Sequence, residues 1–215
     1  MTPEQRSESA RKAVNARWAK KKTKSVCNNF PQKIAFFLFP FAQYSLDHRL
    51  MQRMNRWRAP RWVRIWTITV TRLGDGWIWY ALGFLLLGFG GPQRFAAVSA
   101  AGAAAVFGVF VFKALKHLSQ RPRPCQIEPH CWSKVLPPDQ FSFPSGHTMT
   151  AFSIALVISY FYPSLEGVLL FLALNIAVSR IVLGMHFLSD VLAGMVLGVA
   201  LGCASITAFA SMGLA

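Results

Sequence analysis

Residues 187–210, FLSDVLAGMVLGVALGCASITAFA, decide the fold class, because Asp190 is the only charged side chain in this run. A membrane-spanning helix needs roughly 20 predominantly apolar residues, and this run has that length. Working outward along the chain, four more stretches reach or approach it: residues 73–91, 95–115, 148–162 and 168–183. The sequence therefore predicts an all-α, polytopic bundle with five transmembrane helices.

A sixth candidate span covers residues 30–46, which contain Pro31 and Pro40. Its uninterrupted apolar part is short, so a span, a re-entrant segment and an interfacial segment all stay open. Residues 49–64 are typical of an amphipathic interfacial stretch, in which Trp57 and its neighbouring tryptophans lie at headgroup level. We expect three regions: a basic cytoplasmic tail (1–29), the sixth candidate with the interfacial helix (30–72), and a catalytic transmembrane bundle (73–215).

The composition also favours a membrane protein. Only 14% of the residues are charged, whereas soluble domains average about 25%. The net charge of +15 is concentrated in residues 6–24 and 49–64, where it favours contact with anionic lipid headgroups. No nucleic-acid recognition module accompanies these clusters, so nucleic acid is not the expected partner.

Cysteine and histidine usage indicates neither a disulfide framework nor a metal centre. Cys125 and Cys131 lie in one polar loop and could pair in an oxidising compartment. A zinc site that includes His130 would lack two properly spaced ligand pairs.

The basic N-terminal tail is not expected to be a signal peptide. Such a peptide needs an apolar stretch directly after its basic region, whereas here residues 25–29 separate the basic residues from the next apolar run.

Three polar clusters interrupt the apolar runs. The first is KHLSQRPRP at 116–124, the second is FPSGH at 143–147, and the third begins with Ser179-Arg180 and ends at His186 and Asp190. The long polar loop at 117–147 follows the second span, and the short break near Gly184 follows the fourth. Loops after the second and fourth spans lie on the same side of a membrane, so the clusters are predicted to share one site.

The residue types in these clusters suit a phosphate group. Lys116, Arg123 and Arg180 supply positive charge, and the two arginines can donate two parallel hydrogen bonds. Ser145 and Gly146 precede a helix that should start near His147, and a helix N-terminus offers free N–H groups to an anion.

Two histidines in the clusters could perform the chemistry. His186 and Asp190 are four residues apart, which would place them on one helical face. The carboxylate would then select the imidazole tautomer and leave the other nitrogen free to attack phosphorus. His147 would give a proton to the departing alkoxide.

The three clusters resemble the signature of the type 2 phosphatidate phosphatase family, which also includes soluble vanadium haloperoxidases. That signature is Lys, six residues, Arg-Pro; then Pro-Ser-Gly-His; then Ser-Arg, five residues, His, three residues, Asp, and every element is present here. Arg121 and Lys113 miss this register, so we interpret them as supporting or structural charges. Asp47, Asn55 and Asp75 match the family only loosely, and no catalytic role is assigned to them.

The resemblance implies a role for each matching residue. His186 would be the nucleophile that forms a phosphohistidine, Asp190 its partner, and His147 the general acid and then the base for water. The phosphate would be held by Lys116, Arg123, Ser145, Gly146 and Arg180. No metal and no other cofactor are expected, since side chains supply the positive charge.

The implied function is hydrolysis of a lipid phosphate. Polyprenyl pyrophosphate is the favoured substrate, ahead of phosphatidic acid, phosphatidylglycerophosphate and a lipid A phosphate. A lipid phosphotransferase and a non-enzymatic membrane anchor are the alternatives, whereas a haloperoxidase would need a soluble chain. We expect a bacterial inner-membrane protein. We expect six spans, the number that the resemblance implies, and these would turn the site to the periplasm or outside. Five spans would turn it to the cytoplasm.

Overall fold

The computed structural model describes residues 41–127 and 139–214, and in these ranges it is helical, without β-strands. Its helices are α1 (Phe41–Arg56), α2 (Arg61–Leu73), α3 (Trp77–Phe89), α4 (Arg94–Ser119), α5 (Pro124–Ile127), α6 (Gly146–Phe161), α7 (Glu166–Val182) and α8 (Leu188–Ser211). A 3-10 turn at Pro163–Leu165 precedes α7. The all-α prediction is confirmed. The tail and most of the sixth candidate span lie outside the described residues.

Three helical segments in the described part are long and apolar enough to cross a membrane: Arg94–Ser119, Pro163–Val182 and Leu188–Ser211. Helices α3 and α6 are also apolar, but they are shorter. Large apolar side chains such as Phe107, Phe171 and Val196 are exposed on the outside of the bundle, where lipid would cover them. The chain is therefore an integral-membrane protein, while the number of spans stays a prediction.

Helix α6 lies at the centre of the bundle, between α4, α7 and α8, and most of its side chains are buried. Glycines allow α8 to approach it closely. A Cβ atom at Gly194 would lie 2.6 Å from the carbonyl oxygen of Ser145, and one at Gly198 would overlap the carbonyl oxygen of Met149. Small residues are typical of such close helix contacts in membranes.

The helices that frame the site alternate in direction. Asp75, just before α3, contacts His147 at the start of α6, whereas Gly90, at the end of α3, accepts a hydrogen bond from Tyr162 at the end of α6. Ser119, at the end of α4, donates to the carbonyl of Phe143. His186, in the loop after α7, contacts the carbonyl of Ser142, which lies between α4 and α6. The loops after α4 and α7 therefore meet at one end of the bundle, as the order of the apolar runs predicts.

Two predicted segments are wrong in extent. The interfacial stretch at 49–64 is not continuous: α1 ends at Arg56 and α2 begins at Arg61, after a break that contains Pro60. Proline disfavours helical backbone in the residue before it, which explains the break. The apolar run at 73–91 contains the end of α2, a turn in which Gly76 has φ 125°, and only then α3.

Candidate active site

The three polar clusters meet at the end of the bundle where α4 ends and where α6 and α8 begin. His186 lies in the loop before α8, not on a helix as predicted. Its Nδ1 is 2.7 Å from the carbonyl oxygen of Ser142, and its Nε2 is 3.1 Å from Nη1 of Arg123. Because arginine only donates, Nε2 must accept and Nδ1 must carry the proton.

The surroundings of His186 keep its ring neutral. Burial lowers the pKa of His186 well below its usual value, and the positive charges of Arg123, Arg180 and Lys116 lower it further. A neutral ring whose Nδ1–H donates to a carbonyl presents the lone pair of Nε2. This nitrogen lies beside the cations, where a nucleophile would be needed.

Asp190 is close to His186 but is not its hydrogen-bond partner. The carboxylate oxygen is 3.7 Å from Nδ1 of His186, which is longer than a hydrogen bond. Asp190 instead accepts the backbone N–H of Phe187 at 2.8 Å and Nη1 of Arg121 at 2.7 Å. Asp190 thus lies near His186, as the spacing predicts, but the carbonyl of Ser142 rather than the carboxylate accepts the hydrogen bond from Nδ1.

Arg121 connects the segment around His186, just before α8, to α1. Besides Asp190, it donates to Ser189 at 2.6 Å and to Asp47 at 2.8 Å, and its guanidinium lies 4.2 Å from the centre of the Phe187 ring. Asp47 is buried and also accepts the backbone N–H of Ser189 at 3.1 Å. These contacts agree with the interpretation of Arg121 as a supporting charge, and they attach α1 to the start of α8.

The partner of His147 is a residue that the sequence prediction left without a role. Nε2 of His147 donates to Oδ1 of Asp75 at 2.7 Å. This hydrogen bond is the main cause of the lowered pKa of Asp75, which the positive charges of His147, Arg180 and Arg72 lower further. One signal for Asp75 existed in the sequence, since it is the only charge in the apolar run at 73–91. Isolated charges in such runs usually have a partner.

The cations of the cluster differ in how they are bonded. Lys116 and Arg123 are buried, and each donates to the carboxylate of Asp139 at 2.6 Å. Arg180 is also buried, and within the described ranges its Nη1 makes one side-chain hydrogen bond, at 3.5 Å to the hydroxyl of Thr71. Its Nε and Nη2 have no hydrogen-bond partner among the described residues. Buried donors without a partner are costly, so this guanidinium is open to an anion.

The Pro-Ser-Gly-His segment begins α6, as predicted. Ser145 is buried, its backbone N–H donates to the carbonyl of Asp190 at 3.0 Å, and its hydroxyl contacts that of Thr148 at 2.9 Å. Gly146 and His147 are the first residues of the helix. The first N–H groups of a helix have no intrahelical acceptor, so this end can bind an anion.

The PAP2 superfamily matches residues 96–211. The chain is 34% identical to phosphatidylglycerophosphatase B of Bacillus subtilis over 112 residues, which are 45% of this chain and 51% of that protein. It is 33% identical to decaprenylphosphoryl-5-phosphoribose phosphatase of Mycobacterium tuberculosis over 129 residues, which are 57% of this chain and 70% of that protein. The chain thus spans about half the length of the first relative.

A solved structure is similar over more of the chain. The crystal structure of Aquifex aeolicus LpxE has a TM-score of 0.65 and 27% sequence identity, and the similarity covers 79% of this chain and 99% of that one. All three polar clusters lie within the residues that match the superfamily, whereas Asp75 precedes them.

Proposed function

The chain belongs to the PAP2 superfamily, and on that premise we propose that it is a membrane phosphatase that hydrolyses a phosphate ester or pyrophosphate of a lipid. One observation carries the proposal. Nη1 of the buried Arg123 lies 3.1 Å from the unprotonated Nε2 of His186, and the charges of buried Lys116 and Arg180 act on the same ring. Two nitrogens of Arg180, Nε and Nη2, have no hydrogen-bond partner among the described residues. A phosphate oxygen is the natural acceptor for such donors.

The first step transfers the phosphoryl group to the enzyme. Nε2 of His186 attacks phosphorus, and the bond between phosphorus and the lipid oxygen breaks as the N–P bond forms. His147 donates its proton to the leaving oxygen, and Asp75 holds the imidazole for that transfer. Nδ1–H of His186 donates a hydrogen bond to the carbonyl of Ser142, which stabilises the positive charge of the phosphohistidine.

The second step returns the enzyme to its initial state. His147 removes a proton from water, the oxygen attacks phosphorus, and the N–P bond breaks to release inorganic phosphate. Lys116, Arg123 and Arg180 stabilise the negative charge in both transition states, together with the N-terminus of α6 at Ser145 and Gly146. Asp190 positions the nucleophile loop through Phe187 and Arg121.

The substrate proposal concerns the lipid. The predicted favourite is polyprenyl pyrophosphate, and the names of the two relatives add phosphatidylglycerophosphate and a decaprenyl-linked phosphoribose phosphate as candidates. We further propose an inner-membrane location with the site facing the periplasm, which rests on a cytoplasmic basic tail and six spans.

The test is phosphate release by the purified full-length chain in detergent, measured across those lipids and phosphatidic acid. We expect release from at least one lipid, loss of release in His186→Ala, and wild-type rates in His48→Ala, which removes an exposed histidine of α1. Protein quenched in alkaline detergent, which preserves the N–P bond, should carry a phosphohistidine that His186→Ala lacks. Steady hydrolysis by His186→Ala would refute the mechanism.

Transfer of phosphate to a second lipid rather than to water would indicate a phosphotransferase. No reaction with any of the lipids would favour a non-enzymatic membrane anchor.

A further inference from the structure

The carboxylate of Asp139 accepts hydrogen bonds from two of the three cations of the site. The oxygens of Asp139 lie 2.6 Å from Nζ of Lys116 and 2.6 Å from Nη2 of Arg123. We infer that Asp139 occupies the positions on these two cations that phosphate oxygens would take, and that the substrate must displace it from both cations. The inference rests on the proposed function, because it concerns the same phosphate site.

The position of the carboxylate supports competition with a phosphate. Arg123 directs Nη1 to Nε2 of His186, at 3.1 Å, and Nη2 to Asp139. The two terminal nitrogens of one guanidinium therefore contact the nucleophile and the carboxylate. A phosphorus atom within reach of Nε2 would bring its oxygens to the nitrogens that Asp139 now occupies.

The bonding of the three cations suggests an order of binding. In the described part of the chain, Lys116 and Arg123 each donate to the carboxylate of Asp139, whereas Nε and Nη2 of Arg180 have no hydrogen-bond partner. An incoming phosphate can contact Arg180 without breaking any bond. It then gains Lys116 and Arg123 only as the carboxylate withdraws.

The chemistry of the exchange favours displacement over sharing. A phosphate dianion and a carboxylate that share two cations repel each other at short distance. The side chain of Asp139 is 39% exposed, so water can solvate it once it is released. Burial tends to raise the pKa of Asp139, but Arg123 and Lys116 lower it below its usual value. The carboxylate is therefore ionised at neutral pH and competes with every phosphate that enters.

Asp139 would also assist product release. Inorganic phosphate would compete for two of its three cations with a carboxylate that is tethered beside them at high effective concentration. Its return to Lys116 and Arg123 removes two of the contacts that retain the product.

The test compares Asp139→Asn with the wild-type chain, using isothermal titration of the full-length protein in detergent with orthovanadate and with inorganic phosphate. The amide keeps the size of the carboxylate but removes its charge, so each anion should bind about tenfold more tightly or better. Glu166→Gln removes one negative charge from the exposed start of α7, at the opposite end of that helix from Arg180. This control should leave both affinities unchanged.

The outcomes separate the inference from the proposed function. Equal or weaker anion binding by Asp139→Asn, with measurable binding by the wild type, would overturn the inference and show that Asp139 orients the cations instead. A failure of both proteins to bind either anion would refute the phosphate site itself and the inference with it. Asp139→Ser is a second variant if the amide prevents folding. In turnover, either variant should lower KM and strengthen inhibition by phosphate, whereas a merely orienting role predicts a higher KM.

Discussion

The hydrogen bond between Asp75 and His147 allows a quantitative prediction for Asp75→Asn. The two side chains meet at 2.7 Å, and the carboxylate is 39% exposed. A hydrogen bond to a charged group contributes about 1.5–3 kcal/mol, and partial exposure reduces this to about 1–2 kcal/mol. If the bond acts fully in the transition state, kcat should fall about 5- to 30-fold.

The variant should also change the pH dependence and the response to the leaving group. The carboxylate stabilises the protonated imidazole, so without it the decline of kcat at high pH should begin at a lower pH. A lipid alkoxide needs the proton from His147, whereas p-nitrophenolate leaves without one. The loss should therefore be large with a lipid phosphate and small with p-nitrophenyl phosphate, each measured from pH 5 to 9.

The control for Asp75→Asn is Glu166→Gln, which also changes a carboxylate to an amide. Glu166 begins α7, whereas Arg180 of the site lies in the last turn of that helix. It should keep the wild-type rate and pH profile. An unchanged kcat and pH profile in Asp75→Asn would refute a role for Asp75 in the proton transfer. An equal loss with both leaving groups would point to damage of the phosphate site instead.

Three other predictions address the metal, the topology and the packing. Activity should persist in excess chelator and be inhibited by vanadate, because side chains supply the positive charge, and no group of three His, Cys, Asp or Glu residues in the described ranges could hold a metal ion. Loss of activity in chelator that Mg²⁺ restores would contradict this. Cys125 or Cys131 should react with a membrane-impermeant thiol reagent in intact, reduced cells if the site faces outward, whereas labelling only after lysis would place it inside. Gly198→Ala should lower Tm, because its Cβ would overlap the carbonyl oxygen of Met149 and overpacking costs about 1–3 kcal/mol. Gly102→Ala is the control: a Cβ there would meet no atom of a packing neighbour within 4 Å, so this variant should have the Tm of the wild type. Equal Tm values for the two variants would contradict the close packing of α6 and α8.

Much of the site could be predicted from local sequence. The spacing of the three clusters and the order of the apolar runs together place Lys116, Arg123, His147, Arg180 and His186 at one end of the bundle, and the structure brings them together there. Such patterns work because each cluster is short and because helices that cross a membrane must alternate in direction.

The partners of these residues could not be predicted in the same way. Asp75 is 72 positions from His147, and Asp139 lies in a loop that no motif marks, so neither pair has a local signature. The carbonyl of Ser142 is a backbone group, which sequence spacing does not single out. The break between α1 and α2 did have a signal, because Pro60 disfavours helical backbone at Ala59.

The attachment of α1 to the start of α8, through Asp47 and Ser189, has a kinetic consequence. It holds α1, which carries Arg49, Arg53 and Arg56, at the same end of the apolar helices as His186. A headgroup could then be processed there while its acyl or prenyl chains remain among neighbouring lipids. Substrate would then arrive by two-dimensional diffusion, and its effective concentration is a mole fraction in the bilayer. Neutral lipid added at constant substrate would slow turnover, whereas adding buffer to the same vesicles would not change the rate per enzyme.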